Sequence, residues 1–213
     1  MTVQRFTKAD MARSVAQAIA PGSFVNLGIG LPELVADYLP PNAGVFLHSE
    51  NGILGMGPTP TAEERDWDLI NAGKKPVTLV QGGAFFHHAD SFAMIRGGHI
   101  GLCVMGAFEV SIDGDLANWN DGSPTAIPAV GGAMDLAVGA REVFVMMNLL
   151  DRGGGCKLVP QLRAPVTAAR VVTRLFTDHA DFMLTPGCRP RVTRRAPGLT
   201  AGMLGELLGI AVQ

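Results

Sequence analysis

The chain has 213 residues, and its 17 Lys and Arg against 19 Asp and Glu leave a formal net charge of −2. This balance lacks the basic footprint of nucleic-acid-binding proteins, and no apolar run reaches the roughly 18 residues that a membrane span needs. Glycine is the outlier, with 27 residues where average usage predicts about 15. Because these glycines follow no collagen-like period, they indicate many loops with positive φ or close backbone approach, which favours an enzyme.

The three cysteines, Cys103, Cys156 and Cys188, are odd in number and far apart. This pattern argues against a disulfide framework and for a reducing compartment. Residues 1–10 contain no apolar segment of the kind that a secretory signal needs, so we expect a cytoplasmic protein. Neither a linker nor an internal repeat divides the sequence, and residues 1–213 are predicted to form a single domain.

The first predicted element is a helix that begins after Thr7. Thr7 has the character of an N-cap, and Asp10 stands at the third helical position, as in a capping box. Met11 and Val15 place apolar side chains on one face of this helix. The Pro-Gly pair at 21–22 ends it.

Two strand-and-turn units follow the first helix. Residues 24–27 form a short strand that leads into a glycine turn at 28–32 and then a helix to about residue 39. Residues 45–48 form a second strand, which ends in the turn 49–52. Residues 55–71 are rich in proline and polar groups, and we predict that they form a surface excursion.

The second half of the chain repeats this alternation. Two continuous apolar runs, 100–105 and 143–147, have the length of strands and are predicted to be buried on both faces. The other predicted elements are a strand at 77–80, a helix from His87 to Ile95, turns at 113–115 and 131–132, short strands after Val171, and a last helix at 199–208. Alternating strands and helices predict an α/β fold with an open, largely parallel sheet and helices on both faces.

Ligands of open α/β sheets bind at the carboxyl ends of the strands, and of the glycine turns expected there only 49–52 carries an ionisable residue at the strand tip, Glu50. The Asn51-Gly52 pair is a strong tight-turn signal because both residues tolerate positive φ. Such a turn would hold Glu50 at the end of a buried strand, where glycines let a substrate approach. A carboxylate in this place could be a general base, a metal ligand or a nucleophile. The alternative is a glutamate that only stabilises a surface turn.

The two other glycine turns have less specific signals. Gly28 and Gly30 could cradle a phosphate at a helix N-terminus, or they could only permit a tight turn with close packing. Gly131 and Gly132 could supply two unhindered N–H groups to an oxyanion, or they could only permit a bend.

A metal site is not predicted. Adjacent histidines such as His87 and His88 point in different directions on a strand or a helix, so they do not readily share one ion. His99 and Cys103 belong to a predicted strand, and neither an HExxH nor a CxxC motif occurs.

Four arginines, Arg189, Arg191, Arg194 and Arg195, form the one local concentration of positive charge. We expect them to lie on the exposed face of a strand pair. A site for a phosphorylated ligand is the alternative.

The segment 49–58, with the sequence SENGILGMGP, resembles the catalytic signature of the β subunits of family I (3-oxoacid) CoA-transferases. Five further segments match that family in order and spacing: NLGIGLP at 26–32, GGH at 97–99, GAF at 106–108, GDLANW at 114–119 and VGGAMDL at 130–136. The segment 82–92, GGAFFHHADSF, resembles the β subunits of the 3-oxoadipate enzymes more than those of the acetoacetate enzymes.

The resemblance implies that Glu50 is a nucleophile, which attacks succinyl-CoA and then carries CoA as a glutamyl thioester to a 3-oxo acid. The leading expectation for this acid is 3-oxoadipate. It implies no permanently bound cofactor, because the coenzyme A thioester is a substrate. It also implies a separate α subunit as partner, without which this chain is expected to be inactive. The residues expected at the CoA and oxyanion sites are Gly28, Gly30, Asn51, Gly131 and Gly132.

Two departures from the family pattern bear on acyl specificity or on the α-subunit interface. Gly101 stands where the family usually has Asp, and Leu149 stands where many members have His. Acetoacetate or another 3-oxo acid is therefore an alternative substrate. Two other interpretations come from different classes of protein: a sugar-phosphate isomerase with Glu50 as base and arginines at the phosphate, and a non-catalytic ligand-sensing or scaffold subunit.

Overall fold

A computed structural model of the chain describes residues 3–120, 125, 127 and 130–213. Its helices are α1 (Lys8–Ala18), α2 (His88–Arg96), α3 (Ala133–Gly139) and α4 (Ala201–Leu208), with a 3₁₀ helix at Leu31–Tyr38. Its strands are β1 (Phe24–Leu27), β2 (Phe46–Ser49), β3 (Ile53–Met56), β4 (Leu79–Phe85), β5 (Leu102–Met105), β6 (Glu109–Ser111), β7 (Leu116–Ala117), β8 (Glu142–Met146), β9 (Leu158–Val159), β10 (Val172–Phe176), β11 (Ala180–Met183) and β12 (Arg191–Arg195).

Within these residues, the main sheet has nine strands in the order β12-β11-β10-β8-β5-β1-β2-β3-β4. The five central strands, from β10 to β2, run parallel to one another. Antiparallel strands extend the sheet at each edge, and β7, β6 and β9 form a separate small sheet. The α/β class and the largely parallel sheet are confirmed.

Helices pack on both faces of the main sheet, as the alternation of strands and helices predicts. Successive side chains of a strand point to opposite faces, and β5 shows the consequence. Cys103 and Met105 belong to one apolar core, which also contains Ile95 of α2 and Leu204 of α4. The intervening Val104 belongs to a second core, which contains residues of α1. The prediction that this apolar run is buried on both faces is confirmed.

The N-terminal helix begins as its sequence predicts. The Thr7 hydroxyl accepts a hydrogen bond from the Asp10 N–H at 3.1 Å, and the Asp10 carboxylate accepts one from the Thr7 N–H at 2.9 Å. This reciprocal capping box satisfies two N–H groups that the helix leaves without partners. Met11 and Val15 are buried, and their core joins α1 to the sheet.

Two local predictions need correction, and one helix was missed. The surface excursion does not begin at Gly55, because β3 extends from Ile53 to Met56 and pairs with both β2 and β4. The strand predicted at 77–80 instead runs over Leu79–Phe85, and its two glycines, of which Gly82 has a φ of +86°, fall where the pairing with β3 shifts register. Helix α3 was not predicted, because its seven residues are too few for a clear apolar period.

No helix among the described residues is long and apolar enough to cross a membrane.

Candidate active site

Glu50 lies in the tight turn between β2 and β3 and is half-buried. The turn closes through a hydrogen bond of 3.0 Å from the Gly52 N–H to the Ser49 carbonyl. Gly52 has a φ of +111°, and a Cβ there would overlap the carbonyl oxygen of Phe86. Both observations explain why glycine is needed at this position. The turn therefore fixes the backbone that carries the Glu50 carboxylate.

The Glu50 carboxylate lines a cleft of about 530 Å³ at the carboxyl ends of the parallel strands. The cleft brings together three of the predicted glycines with Glu50. Its walls come from the segments that follow β1 and β5 and from the start of α3. The residues that line it are Gly28, Ile29, Glu50, Met105, Gly106, Ala107, Phe108, Asn118, Val130, Gly131, Gly132, Ala133 and Leu136.

Gly131 and Gly132 occupy the turn that precedes α3. Within the described part of the chain, neither N–H group donates a hydrogen bond to a protein acceptor. Gly131 has a φ of +52°, and a Cβ on Gly132 would lie 2.8 Å from the Phe92 ring. Both positions therefore exclude larger side chains and leave backbone donors at the cleft.

Gly30 and Asn51 are not among the residues that line this cleft. The Gly30 N–H donates to the Glu33 carboxylate at 2.8 Å, and the residue has a φ of +92°. The Asn51 amide donates to the carbonyl of Ile70 at 2.8 Å, which ties the turn to the surface excursion. Both residues thus have a local structural role, and their role in CoA binding stays a prediction.

Asn26 contacts Glu50 directly and was not singled out by the reasoning from sequence. Its side chain is fully buried within β1, and its amide Nδ2 donates to Glu50 Oε2 at 3.1 Å. A polar residue in the otherwise apolar strand FVNL is the signal that could have found it, because buried amides need partners.

His48 and Ser91 lie behind Asn26, and both are fully buried. His48 Nδ1 is 3.2 Å from Asn26 Nδ2, and His48 Nε2 is 2.9 Å from the Ser91 hydroxyl. Burial lowers the pKa of His48 to about 4, because the apolar surroundings disfavour the imidazolium. The ring is therefore neutral at physiological pH.

Cys103 completes the surroundings of Asn26 from β5. Its thiol donates to Asn26 Oδ1 at 3.9 Å, within the range of hydrogen bonds to sulfur. Burial and, secondarily, the charge of Glu50 raise the pKa of the Cys103 thiol, because both disfavour a thiolate. The thiol thus stays protonated and remains a donor.

The four arginines lie elsewhere, on and before the edge strand β12. Arg194 donates to the buried carboxylate of Asp181 at 2.7 Å, and its guanidinium stacks 3.8 Å from the centre of the Phe6 ring. Arg189, Arg191 and Arg195 are exposed. The interpretation as the exposed face of a strand pair is therefore confirmed, with Arg194 as a structural ion pair.

The two histidines that follow β4, His87 and His88, contact α2. His87 is the N-cap residue, whose Nδ1 accepts from the Ala89 N–H at 3.1 Å. His88 packs against Phe92, with ring centres 4.9 Å apart. Among the residues that the structure describes, no group of three His, Cys, Asp or Glu side chains could hold a metal ion.

The two departures from the family pattern do not line the cleft. The Gly101 N–H donates to the carbonyl of Phe24 at 2.9 Å. Leu149 is fully buried, and its N–H donates to Asp178 at 2.8 Å.

Comparison with known proteins decides the family. The family model described as coenzyme A transferase matches residues 8–200, most of the chain. The chain belongs to the coenzyme A transferase family. A 3-oxoadipate CoA-transferase subunit of Pseudomonas putida is 58% identical over 187 residues, which cover 87% of each chain. The protein of the same name from Acinetobacter baylyi is 51% identical over 209 residues, which cover 98% of this chain and 96% of that one.

A solved structure supports the fold. The apoenzyme of an acyl-CoA transferase, YdiF of Escherichia coli O157:H7, superposes with a TM-score of 0.74 at 17% sequence identity. The superposition covers all of this chain but only 43% of YdiF. Together these comparisons confirm the predicted family and the prediction that the chain is a CoA-transferase enzyme. They give no support to the sugar-phosphate isomerase or scaffold alternatives.

Proposed function

We propose that this chain is the catalytic β subunit of a 3-oxoadipate CoA-transferase, which moves CoA from succinyl-CoA to 3-oxoadipate through a covalent thioester on Glu50. One observation carries the proposal. Glu50 is a half-buried carboxylate at a strand tip, anchored by Asn26 and open to a cleft walled by glycines. The relatives named as subunits of 3-oxoadipate CoA-transferase supply the choice of acid.

The reaction consists of acyl exchanges at the Glu50 carboxyl. A carboxylate oxygen attacks the thioester carbonyl of succinyl-CoA, the C–S bond breaks, and a mixed anhydride and CoA thiolate result. The thiolate attacks the glutamyl carbonyl and releases succinate, which leaves a glutamyl-CoA thioester. The carboxylate of 3-oxoadipate attacks this thioester and releases the thiolate. The thiolate then attacks the 3-oxoadipyl carbonyl, and free glutamate is restored.

The surroundings of Glu50 suit a nucleophile better than a proton carrier. Asn26 binds Oε2, while Oε1 accepts no hydrogen bond from any described residue, so one oxygen is free to attack. Each exchange places negative charge on a carbonyl oxygen. The N–H groups of Gly131 and Gly132 line the same cleft. They are our candidates for stabilising this charge, because neutral donors do so without protonating the nucleophile.

The lack of positive charge among the described cleft residues suggests why a partner subunit is needed. The described residues that line the cleft include no Lys, Arg or His. Succinyl-CoA and 3-oxoadipate are both anionic, and their carboxylates and phosphates require cationic groups. We propose that a separate α subunit supplies these groups, in line with the bacterial relatives, which are themselves named as subunits of a larger enzyme.

Trapping the covalent intermediate tests the proposal. The purified complex with the partner subunit is incubated with succinyl-CoA, and the thioester is then reduced or converted to a hydroxamate. Mass spectrometry should place the modification on Glu50. Glu50→Gln should abolish turnover and modification, whereas the exposed Glu63→Gln is a control that should retain both. Turnover by Glu50→Gln without any adduct would contradict the proposal.

The acid substrate is tested separately in the same complex. We expect kcat/KM to be highest for 3-oxoadipate when it is compared with acetoacetate at a fixed concentration of succinyl-CoA. A preference for acetoacetate would leave the glutamyl mechanism intact and overturn the substrate assignment.

A further inference from the structure

We infer that His48 and Ser91 are positioning residues, which hold the Asn26 amide so that its N–H group faces the nucleophilic Glu50. Neither residue lines the Glu50 cleft, so their effect is transmitted through Asn26. The inference rests on the proposed role of Glu50.

The four side chains come from separate elements. Asn26 is on β1, His48 on β2 and Ser91 on α2, while Glu50 follows β2. The parallel register places Asn26 beside His48 on one side and beside Cys103 on the other. The Asn26 amide therefore lies between an imidazole and a thiol, and its outer edge reaches Glu50.

The hydrogen bonds select one tautomer of the neutral imidazole. Asn26 Nδ2 lies within hydrogen-bond distance of Glu50 Oε2, the His48 carbonyl and His48 Nδ1, at 3.1, 3.3 and 3.2 Å. A protonated Nδ1 would face this donor, so we infer that Nδ1 is unprotonated. The proton is then on Nε2, from which it is donated to the Ser91 hydroxyl at 2.9 Å. The thiol of Cys103 donates to Asn26 Oδ1 on the other side. These donors and acceptors are complementary only with Nδ2 directed toward Glu50.

The opposite tautomer would disturb the nucleophile. A proton on His48 Nδ1 would face the Asn26 N–H group, and the repulsion would favour a flipped amide with Oδ1 toward His48. That oxygen would then approach the Glu50 carboxylate and repel its charge instead of stabilising it. Ser91 holds the Nε2 edge of the ring at 2.9 Å and so fixes the orientation of the imidazole, while its hydroxyl can serve either tautomer as donor or acceptor. The ring of Phe86, stacked 6.1 Å from that of His48, restricts the imidazole further.

Nitrogen NMR of the histidines tests the arrangement without reference to turnover. The complex is labelled with ¹⁵N-histidine, and His48 is assigned by comparison with His48→Asn. We expect a neutral ring with its proton on Nε2 at neutral pH. A proton on Nδ1, or an imidazolium, would overturn the inference.

Variants test the effect on chemistry. His48→Leu removes the acceptor, and we expect formation of the glutamyl-CoA thioester to slow by roughly tenfold or more, since a hydrogen bond to a charged group loses its orientation. His48→Asn can offer an oxygen where Nδ1 stood, and we expect it to recover most of that rate. Ser91→Ala should slow the step less than His48→Leu. Ser111→Ala is the matched control, because it removes a buried hydroxyl that hydrogen-bonds Asp115 and does not line the Glu50 cleft.

The measurement is a single turnover of adduct formation, with KM for succinyl-CoA and the melting temperature of each complex recorded beside it. A slower rate at unchanged KM, with rescue by His48→Asn, supports the inference. Equal rates in wild type, His48→Leu and Ser91→Ala overturn it. If His48→Leu does not fold, Ser91→Ala and His48→Asn decide the same question. Absence of any adduct in the wild type would instead refute the proposed function.

Discussion

At the residue scale, the Glu50 carboxylate depends on a buried polar group in an apolar sheet. Asn26, His48 and Ser91 are fully buried, and each has a partner at hydrogen-bond distance. Such a network is costly when any member is unsatisfied. Because this network lies next to the Glu50 carboxylate, we infer that it orients the Asn26 amide and does not serve stability alone.

Burial of His48 makes stability depend on pH. Its pKa is lowered to about 4 in the folded chain from about 6.5 in the unfolded chain. Between these values the unfolded chain binds more protons than the folded chain. The contribution of neutral His48 to stability is therefore fully present above pH 6.5 and is lost as the pH falls toward 4. We expect the free energy of unfolding to fall about 2 kcal/mol more between pH 7.5 and 5 in the wild type than in His48→Asn.

Denaturant titrations of both proteins at the two pH values measure this difference. Other carboxylates titrate in the same range, and the comparison with His48→Asn cancels their contribution. An equal fall in the free energy of unfolding of the two proteins would contradict the lowered pKa of His48.

At the element scale, the hairpin between β2 and β3 sets the position of Glu50. Gly52→Ala places a Cβ against the Phe86 carbonyl at a φ of +111°. We expect a loss of about 2 kcal/mol or more in stability, together with a large loss of kcat, because backbone must move and Glu50 moves with it. Gly22→Ala is the matched control, since Gly22 has a φ of +78° but an open Cβ position.

The Gly22→Ala variant should therefore lose only the smaller conformational strain and should keep kcat. Unfolding curves and steady-state rates of the complex check both variants. A Gly52→Ala complex with normal kcat would contradict the role of this turn.

The capping box of α1 provides a prediction away from the cleft. Thr7→Ala removes the hydroxyl that accepts from the Asp10 N–H, and we expect a loss of about 1 kcal/mol in the free energy of unfolding. Neither Thr7 nor Asp10 lines the Glu50 cleft, so kcat/KM should be unchanged. A lower kcat/KM in a fully folded complex would show that α1 is coupled to the site.

At the scale of the whole molecule, sequence reasoning succeeded where the signal is local. The cap at Thr7 and strand β1 follow from neighbouring residues, and the SENG turn correctly predicted where Glu50 lies. It failed where tertiary pairing decides the structure, as in β4, where pairing with β3 on both sides of the glycines carries the strand past them. The network of Asn26, His48 and Ser91 was missed because parallel register, not sequence proximity, brings its members together.

The single domain predicted for residues 1–213 has its own test. If it is correct, fluorescence of the two tryptophans and far-ultraviolet circular dichroism should report one coincident unfolding transition. Two separated transitions would contradict the single domain.

The central claim is that the Glu50 carboxyl exchanges oxygen with the acid substrate. The complex is allowed to turn over with 3-oxoadipate whose carboxylates carry a heavy oxygen isotope, and the peptide that contains Glu50 is analysed by mass spectrometry. The mixed anhydride predicts that this peptide gains the heavy oxygen, because the acyl–oxygen bond on the 3-oxoadipyl side breaks when the thiolate attacks. Turnover without any label in Glu50 would contradict the account.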